Sequence, residues 1–497
     1  MTMNFKRIAA GVMAAAAVIT VSTQAIGSGS PLFADTAITA EAAINDIAIY
    51  YSGDIYACNN IQFKLNKTTK KATIYGKTPK NPSGGNVTLT DVVIPGQIRV
   101  LSGDYQGTYE VAAVNNRAFY NSELTSIDLS NCYALTDIKQ EAFRSCKKLK
   151  SVKLNSSISG IAYGSFQDCT ALSSFDFNGA YRLTTINSSL FLRDTALKNI
   201  NIPYGVRWIN SSAFNSSGLT SIKIPNSVTS IGLSAFAGCK SMKKIDFEAG
   251  GNGTLTLDRY AFANCTALNE VRFNRRGIKA YSLTFNGCGD SFKSYGYGAQ
   301  DYTQSVAKDL LGIWGLKYDA KASAAKQKEF FNSLQKKLND YITYQGLEDS
   351  EEGCAATVIS IRKGTCGGFA RVFYNFCIAA GVNKSNVLVG GDRHCHAWNY
   401  VKVGNLWYNI DATNDVNVCT KKYYSDFMIR NWGDPSYYEA ACKRTVRPHH
   451  PEDFIVCIDD VLGSDDAKNF NNIKTDFFDK LLSEGAAGSV QISGTRA

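Results

Sequence analysis

Residues 222–239 read Ile222-Lys223-Ile224-Pro225-Asn226-Ser227-Val228-Thr229-Ser230-Ile231-Gly232-Leu233-Ser234-Ala235-Phe236-Ala237-Gly238-Cys239. The alternation at Ile222-Lys223-Ile224 is too short for a free-standing strand and describes one with a single buried face. The phenylalanine that follows belongs to a series at Phe119, Phe143, Phe166, Phe191, Phe214, Phe236, Phe262 and Phe285, spaced by 22 to 26 residues. Five or six residues after most of them comes Leu149, Leu172, Leu197, Leu219, Met242 or Leu268, and three residues later another alternating segment, as in Val152-Lys153-Leu154 or Ile200-Asn201-Ile202. A unit this small cannot bury its apolar face alone, so consecutive units must stack into a solenoid.

Cysteines occupy a fixed place in the same pattern. Cys146, Cys169, Cys239, Cys265 and Cys288 each stand three residues after a series phenylalanine. A repeat position predicts a buried column of small apolar groups rather than disulfides. Seven others (Cys354, Cys366, Cys377, Cys395, Cys419, Cys442 and Cys457) fall in the last third, where one or two bridges fit an exported chain but spacing does not pair them.

The segments at Ile224–Ile231 and Ala235–Cys239 resemble bacterial surface leucine-rich repeats of the BspA-like type, over about residues 110 to 290. The resemblance implies a curved array of short strands, with a host or cell-surface protein or glycan as the ligand of its surface. Solenoids require caps. Residues 46–110, with Ile61-Gln62-Phe63-Lys64-Leu65 and Ala72-Thr73-Ile74-Tyr75 between turn residues, read as an N-terminal β cap, residues 111–290 as the repeats, and residues 291–320 as a C-terminal cap or linker.

Composition sets outer bounds. Of 497 residues, 44% are hydrophobic and 19% charged, which fits folded domains, and the net charge of +10 is small for the length. Basic residues occur in short runs such as Lys70-Lys71, which argues against a nucleic-acid partner. Lys6 and Arg7 precede an apolar stretch from Ile8 to Val21, the pattern of a signal peptide over residues 1–25, with cleavage as late as about residue 43. The expectation is a secreted, extracellular protein, associated with a cell surface or free, with no integral membrane segment once processed.

Chemistry concentrates after residue 320. Phe330, Phe331, Leu334, Leu338 and Tyr341 predict a core helix between about Ala320 and Gln345. Gly364-Thr365-Cys366-Gly367-Gly368-Phe369-Ala370 opens a second, whose apolar face is Phe369, Val372, Phe373, Phe376, Cys377 and Ala380 and whose stop is Gly381. Cys366 therefore stands at a helix N-terminus, where unpaired N–H groups favour a thiolate nucleophile and can hold an oxyanion. His396 to Val403 reads as a strand, Gly404-Asn405 as a two-residue turn, and Leu406 to Asp411 as the return. That turn sets Trp398 opposite Asp411 and His396 diagonal to Asp411 on the same face, an arrangement in which a carboxylate orients an imidazole.

These three stretches, Gly-Thr-Cys-Gly-Gly-Phe-Ala at Cys366, His-Ala-Trp-Asn at His396 and Trp-Tyr-Asn-Ile-Asp-Ala-Thr at Asp411, resemble the motifs of the transglutaminase-like superfamily over about residues 323 to 435. The resemblance implies an α+β papain-like domain over residues 321–460, followed by a polar tail at 461–497, with Cys366, His396 and Asp411 as a catalytic triad. The Phe427-Met428-Ile429 segment suits the strand that commonly follows. His394-Cys395 stands where a glycine is more usual, and no oxyanion side chain is assigned.

The implied reaction is acyl transfer through a thioester on a protein or peptide substrate. His396 takes the Cys366 proton and returns it to the leaving amine, and Asp411 holds the imidazole. Water as acceptor gives a peptidase or amidase, to which the resemblance inclines; a lysine amine gives a cross-linking transglutaminase. A non-catalytic adhesin is the alternative from another class. A zinc site of His394, His396 and Cys366 lacks a convincingly spaced fourth ligand. No cofactor or metal is expected. His449 and His450, beside prolines, read as loop residues, and Asp415 falls beyond the strand end as a substitute for Asp411.

Overall fold

A computed structural model describes residues 46–79, 88–251, 253–345, 355–391, 397–404, 406–413, 430–431 and 455–457. The leader, the polar tail, His394, His396, His449, His450, Asp415 and the Phe427–Ile429 segment lie outside the described residues. The chain divides into two compact units, Met1–Arg182 and Leu183–Ala497.

In the first unit, Ile49–Ser52, Ile55–Cys58, Ile61–Asn66 and Lys71–Lys77 form an antiparallel meander. Its last strand pairs in parallel with Gly107–Val114, which pairs in parallel with Asp137–Ile138 and, beyond it, Gly160–Ile161. The meander thus turns an antiparallel edge into a template for parallel rungs. A second ladder runs Asp91–Val93, Ser126–Asp128, Ser151–Lys153, Ser174–Asp176, all parallel. This ladder begins at Asp91, inside the segment read from sequence as cap, where a three-residue strand carries too little alternation to be recognised.

Between the ladders, the rings of Phe119, Phe143 and Phe166 stack with centroids 5.2 and 5.0 Å apart and planes within 12°. Such pairs contribute about 0.5–1.5 kcal/mol each beyond area burial. The backbone flanking each ring follows a rule invisible in composition. The residues two before and two after the phenylalanine have positive φ: Arg117 and Asn121, Glu141 and Ser145, Gly164 and Asp168. Alternate N–H groups then point the same way, so that Arg117, Phe119 and Asn121 donate to the carbonyls of Gln140, Ala142 and Arg144 in the next rung. Each non-glycine left-handed residue costs about 1 kcal/mol, offset by three inter-rung hydrogen bonds per repeat.

The second unit repeats the scheme. Thr185–Ile186, Trp208–Ile209, Ser230–Ile231, Leu255–Leu257 and Ile278–Ala280 form one parallel ladder. Ser221–Ile224, Lys244–Phe247, Glu270–Phe273 and Ser294–Tyr295 form the other, so the ladder continues into the segment read as the closing cap. Phe191, Phe214, Phe236, Phe262 and Phe285 stack at 4.9 to 5.3 Å.

The cysteine column is buried as expected but is more than apolar filling. Each thiol donates to the phenylalanine carbonyl one repeat earlier: Cys146 to Phe119, Cys169 to Phe143, Cys239 to Phe214, Cys265 to Phe236 and Cys288 to Phe262, at 2.9 to 3.4 Å.

Among the described residues, four α-helices close the second unit. Helix α1 (Ala299–Trp314) packs on the edge strand Ile278–Ala280. Asp301, Ser305 and Asp309, one turn apart, accept the N–H groups of Gly277, Ala280 and Ser282 at 2.7, 2.8 and 3.0 Å, which satisfies an otherwise open edge. Its other side meets α3 (Ala355–Ile361) and α4 (Cys366–Ala379). Tyr302 stacks on Phe273, at 5.0 Å, and meets Phe285, the last ring of the column, edge-on at 5.7 Å; its hydroxyl meets Ser360 Oγ at 2.9 Å. Helix α2 (Ala324–Tyr341) buries Phe330, Phe331, Leu334 and Leu338, the expected face, together with Gln335. The sheet that α4 covers runs Arg430–Asn431, Leu406–Ile410, Ala397–Val403, Val387–Gly391 and Ile455–Cys457, antiparallel except for the last pair.

Candidate functional site

Cys366 is the first residue of α4, after Thr365 in an extended conformation as N-cap. The first bond inside the helix runs from Phe369 N–H to Thr365 C=O, 3.0 Å, so the N–H groups of Cys366, Gly367 and Gly368 lie in the first turn, which has no intrahelical acceptor. The thiol is buried, with 8% of the residue exposed. Phe369, Val372, Phe373, Phe376 and Cys377 anchor the helix as their spacing predicts, and Gly381, with φ of 95°, ends it. Two polar side chains in that helix, Arg371 and Asn375, are also buried, which the apolar pattern did not signal.

The hairpin has the register that a two-residue turn requires: Val403 faces Leu406 and Asn399 faces Ile410. Continuing it places position 398 opposite 411. Asp411 leaves the strand end half-buried, with Oδ1 accepting the Thr413 N–H at 2.8 Å and the Thr413 hydroxyl at 2.6 Å. Its carbonyl accepts from Gln335 Nε2 of α2.

Asn399 ties the helix of Cys366 to the strand pair of Asp411. Its side chain, fully buried, donates to Ala370 C=O, one turn beyond Cys366, at 2.9 Å. Among the described residues, Asn399 thus joins α4 to the strand pair that ends at Asp411, and Gln335 joins α2 to the same strand end. Neither residue stood out by type in the sequence. The available signal is a polar residue inside an apolar stripe: Gln335 between Leu334 and Leu338, and Asn399 between Trp398 and Tyr400.

Burial pushes the thiols of Cys58, Cys132 and Cys288 up to about 12, and burial in the middle of α4 raises that of Cys377 well above the ordinary range. Among the described residues, no group of three His, Cys, Asp or Glu side chains is arranged to hold a metal ion. Nor, among them, is any helix long and apolar enough to cross a membrane.

The solenoid surface carries large exposed aromatics. In the first unit they include Tyr133 and Tyr181, and in the second Tyr204, Trp208, Tyr260 and Tyr297. Several rings have a guanidinium over them, as Arg182 over Tyr181 and Arg276 over Tyr297, both at 5.7 Å.

A profile of the BspA-type leucine-rich repeat region matches residues 112–243 and 234–296 in six copies. No curated protein matches the chain. Among solved structures, similar chains include a leucine-rich repeat protein of T. pallidum, 25% identical, covering 38% of this chain and 80% of that one at a TM-score of 0.32. One from Bacteroides ovatus is 20% identical and covers 50% of this chain and 54% of that one, TM-score 0.36. A leucine-rich cell surface protein of Faecalibacterium prausnitzii is 21% identical and covers 52% and 82%, TM-score 0.31. With the stacked rungs, the profile identifies residues 112–296 as a BspA-type leucine-rich repeat region.

Proposed function

We propose that the chain is an extracellular recognition protein whose leucine-rich repeats dock a protein ligand. The observation that carries this reading is the set of exposed tyrosines and Trp208 on the repeats, several under arginine. Those residue types dominate binding energy at protein interfaces. The test is binding of the secreted protein to immobilised extracellular proteins and glycans, with Trp208→Ala and Tyr204→Ala alongside. A specific ligand lost in either variant supports the reading; equal binding by both variants and the parent removes it.

A second reading is favoured by one arrangement, Cys366 at the start of α4 with that helix bonded through Asn399 to the strand pair ending at Asp411. On it, the C-terminal part is a cysteine-dependent acyl-transfer centre acting on amides of the docked protein. His396 accepts the thiol proton, the sulfur adds to the carbonyl carbon, and the first-turn N–H groups of α4 hold the oxyanion. His396 then protonates the leaving amine, and water or a lysine amine resolves the thioester. The transglutaminase-like assignment rests on these residues alone. Incubation with a casein-like protein, with and without a fluorescent primary amine, distinguishes the outcomes: cleavage lost in Cys366→Ala marks a peptidase, and amine incorporation lost in it marks a cross-linker. Neither activity leaves the adhesin.

A further inference from the structure

The residue that ends α3 has an unusual conformation. Arg362 has a φ of +59°, the left-handed region that favours glycine at the end of a helix, and its N–H closes on Val358 C=O at 2.8 Å. A glycine there would avoid the cost of a β carbon, about 1 kcal/mol. The side chain present instead reaches two separate elements. Its guanidinium lies over the Tyr341 ring at the end of α2, 4.7 Å from the centroid, and Nη2 donates to Asn286 Oδ1 at 3.2 Å. Asn286 follows Phe285 in the last repeat, where its carbonyl accepts the Asn264 N–H of the preceding rung at 2.8 Å.

Only three residues separate Arg362 from Cys366, and they are held on several sides. Lys363–Gly364 runs parallel to Thr343–Tyr344, with Thr343 N–H on Arg362 C=O and Gln345 N–H on Gly364 C=O, at 2.8 and 3.0 Å. Gly364 passes so close to α3 that a β carbon would lie 2.8 Å from both γ carbons of Val358. Lys363 Nζ meets both carboxylate oxygens of Asp290 at 2.8 Å. That exposed pair contributes little by itself. The half-buried guanidinium of Arg362, packed on a ring and bonded to a rung, is the firmer tie.

We propose that Arg362 is a positioning residue for Cys366. Seated between Tyr341 and Asn286, it fixes the start of α4 against the last repeat, so that the final rung of the solenoid forms part of the reactive centre. This rests on the acyl-transfer reading. Displacement of a nucleophile by about 1 Å costs up to about 100-fold in rate, so a slack connection would be felt in turnover more than in folding.

The experiment uses the full chain and three readouts: the iodoacetamide rate at Cys366 resolved by peptide mass spectrometry, kcat and KM on the casein-like protein, and thermal unfolding. Arg362→Gly is the decisive variant, because it removes the side chain while relieving the left-handed backbone. We expect its melting temperature to be unchanged or higher, kcat to fall about 10- to 100-fold with KM little altered, and the Cys366 alkylation rate to change. Asn286→Ala should act in the same direction, and Asn286→Asp, which keeps an acceptor for the guanidinium, should restore most of the rate. A folded Arg362→Gly protein with wild-type kcat overturns the proposal, as does wild-type kcat in a folded Asn286→Ala protein should the glycine variant not fold. If wild-type Cys366 reacts no faster than Cys288 and no turnover is found, the acyl-transfer reading falls and the proposal with it, a result distinct from an active parent with insensitive variants.

Discussion

Cys265 donates its thiol hydrogen to the carbonyl oxygen of Phe236, the aromatic rung one repeat earlier, at 3.2 Å. The same position is filled by serine in other repeats: Ser122 and Ser217 stand three residues after Phe119 and Phe214, and their hydroxyls meet Cys146 and Cys239 at 3.2 and 3.3 Å. The position holds a small donor in these repeats, whereas the repeat of Phe191 carries Asp194 there. Cys265→Ser should fall within about 1 kcal/mol of the parent, whereas Cys265→Ala, which leaves that interaction unmade, should cost about 1–2 kcal/mol. Urea unfolding of both variants checks the difference, and equal stabilities would mean that the column is only filling space.

Phe236 stacks on Phe214 and on Phe262, at 4.9 and 5.1 Å, and is fully buried. Phe236→Ala removes a ring from the middle of the column and should cost about 3–5 kcal/mol. Differential scanning calorimetry should show a marked drop in melting temperature, and a drop of only a degree or two would contradict a continuous aromatic core.

Glu270 lies in a charged row on the exposed face of the ladder that runs from Ser221–Ile224 to Ser294–Tyr295, with its carboxyl lowered to about 2 by Tyr295, Lys244 and Arg272. A carboxylate depressed in the folded state stabilises above its unfolded value near 4.3 and loses that contribution as pH falls toward 2. Glu270→Gln should therefore melt below the parent at pH 7, and the gap should close between about pH 4.3 and 2. A gap that stayed constant with pH would assign the effect to packing.

The edge strand Ile278–Ala280 depends on α1 for its acceptors. Asp309→Ala removes the partner of Ser282 N–H and the ion pair with Arg259. We expect faster hydrogen exchange at Ser282, with the amide of Gly277, held by Asp301, slowed as before. Uniformly faster exchange across both amides would mean that α1 had detached.

Much of this architecture was legible because a single period governed it. The spacing of the phenylalanines gave the rungs, and Phe330, Phe331, Leu334 and Leu338 gave α2, since apolar side chains must face the core at the period of their element. The left-handed residues beside each phenylalanine were not legible. Glycine fills three of these places, at Gly164, Gly238 and Gly287, but the others are Arg, Asn, Glu, Ser, Asp and Tyr, types with no common chemistry, held in that conformation by neighbouring rungs. Partners drawn from distant segments were equally hidden. Asp301, Ser305 and Asp309 look like the solvated face of a helix until the edge strand is placed against them. Gln335 and Asn399 act through backbone carbonyls at Asp411 and Ala370, which leave no mark on composition. The Gly404-Asn405 turn, by contrast, fixed the strand register from two residues, because parity alone determines which side chains share a face.

The forward-pointing N–H groups at each phenylalanine give every rung a plug on one side and a socket on the other. Within each unit, the N–H groups at the phenylalanine turn donate toward the C-terminal end, as Phe214 does to Ala235 and Phe236 to Ala261, while N–H groups entering the strands donate back, as Lys243 does to Thr220. A duplicated repeat spliced between two others would find complementary neighbours on both sides. One placed at either terminus would have to displace a cap made for a different surface. Such an array lengthens from within, and its ends are free to stay fixed while its reach is adjusted, one rung at a time.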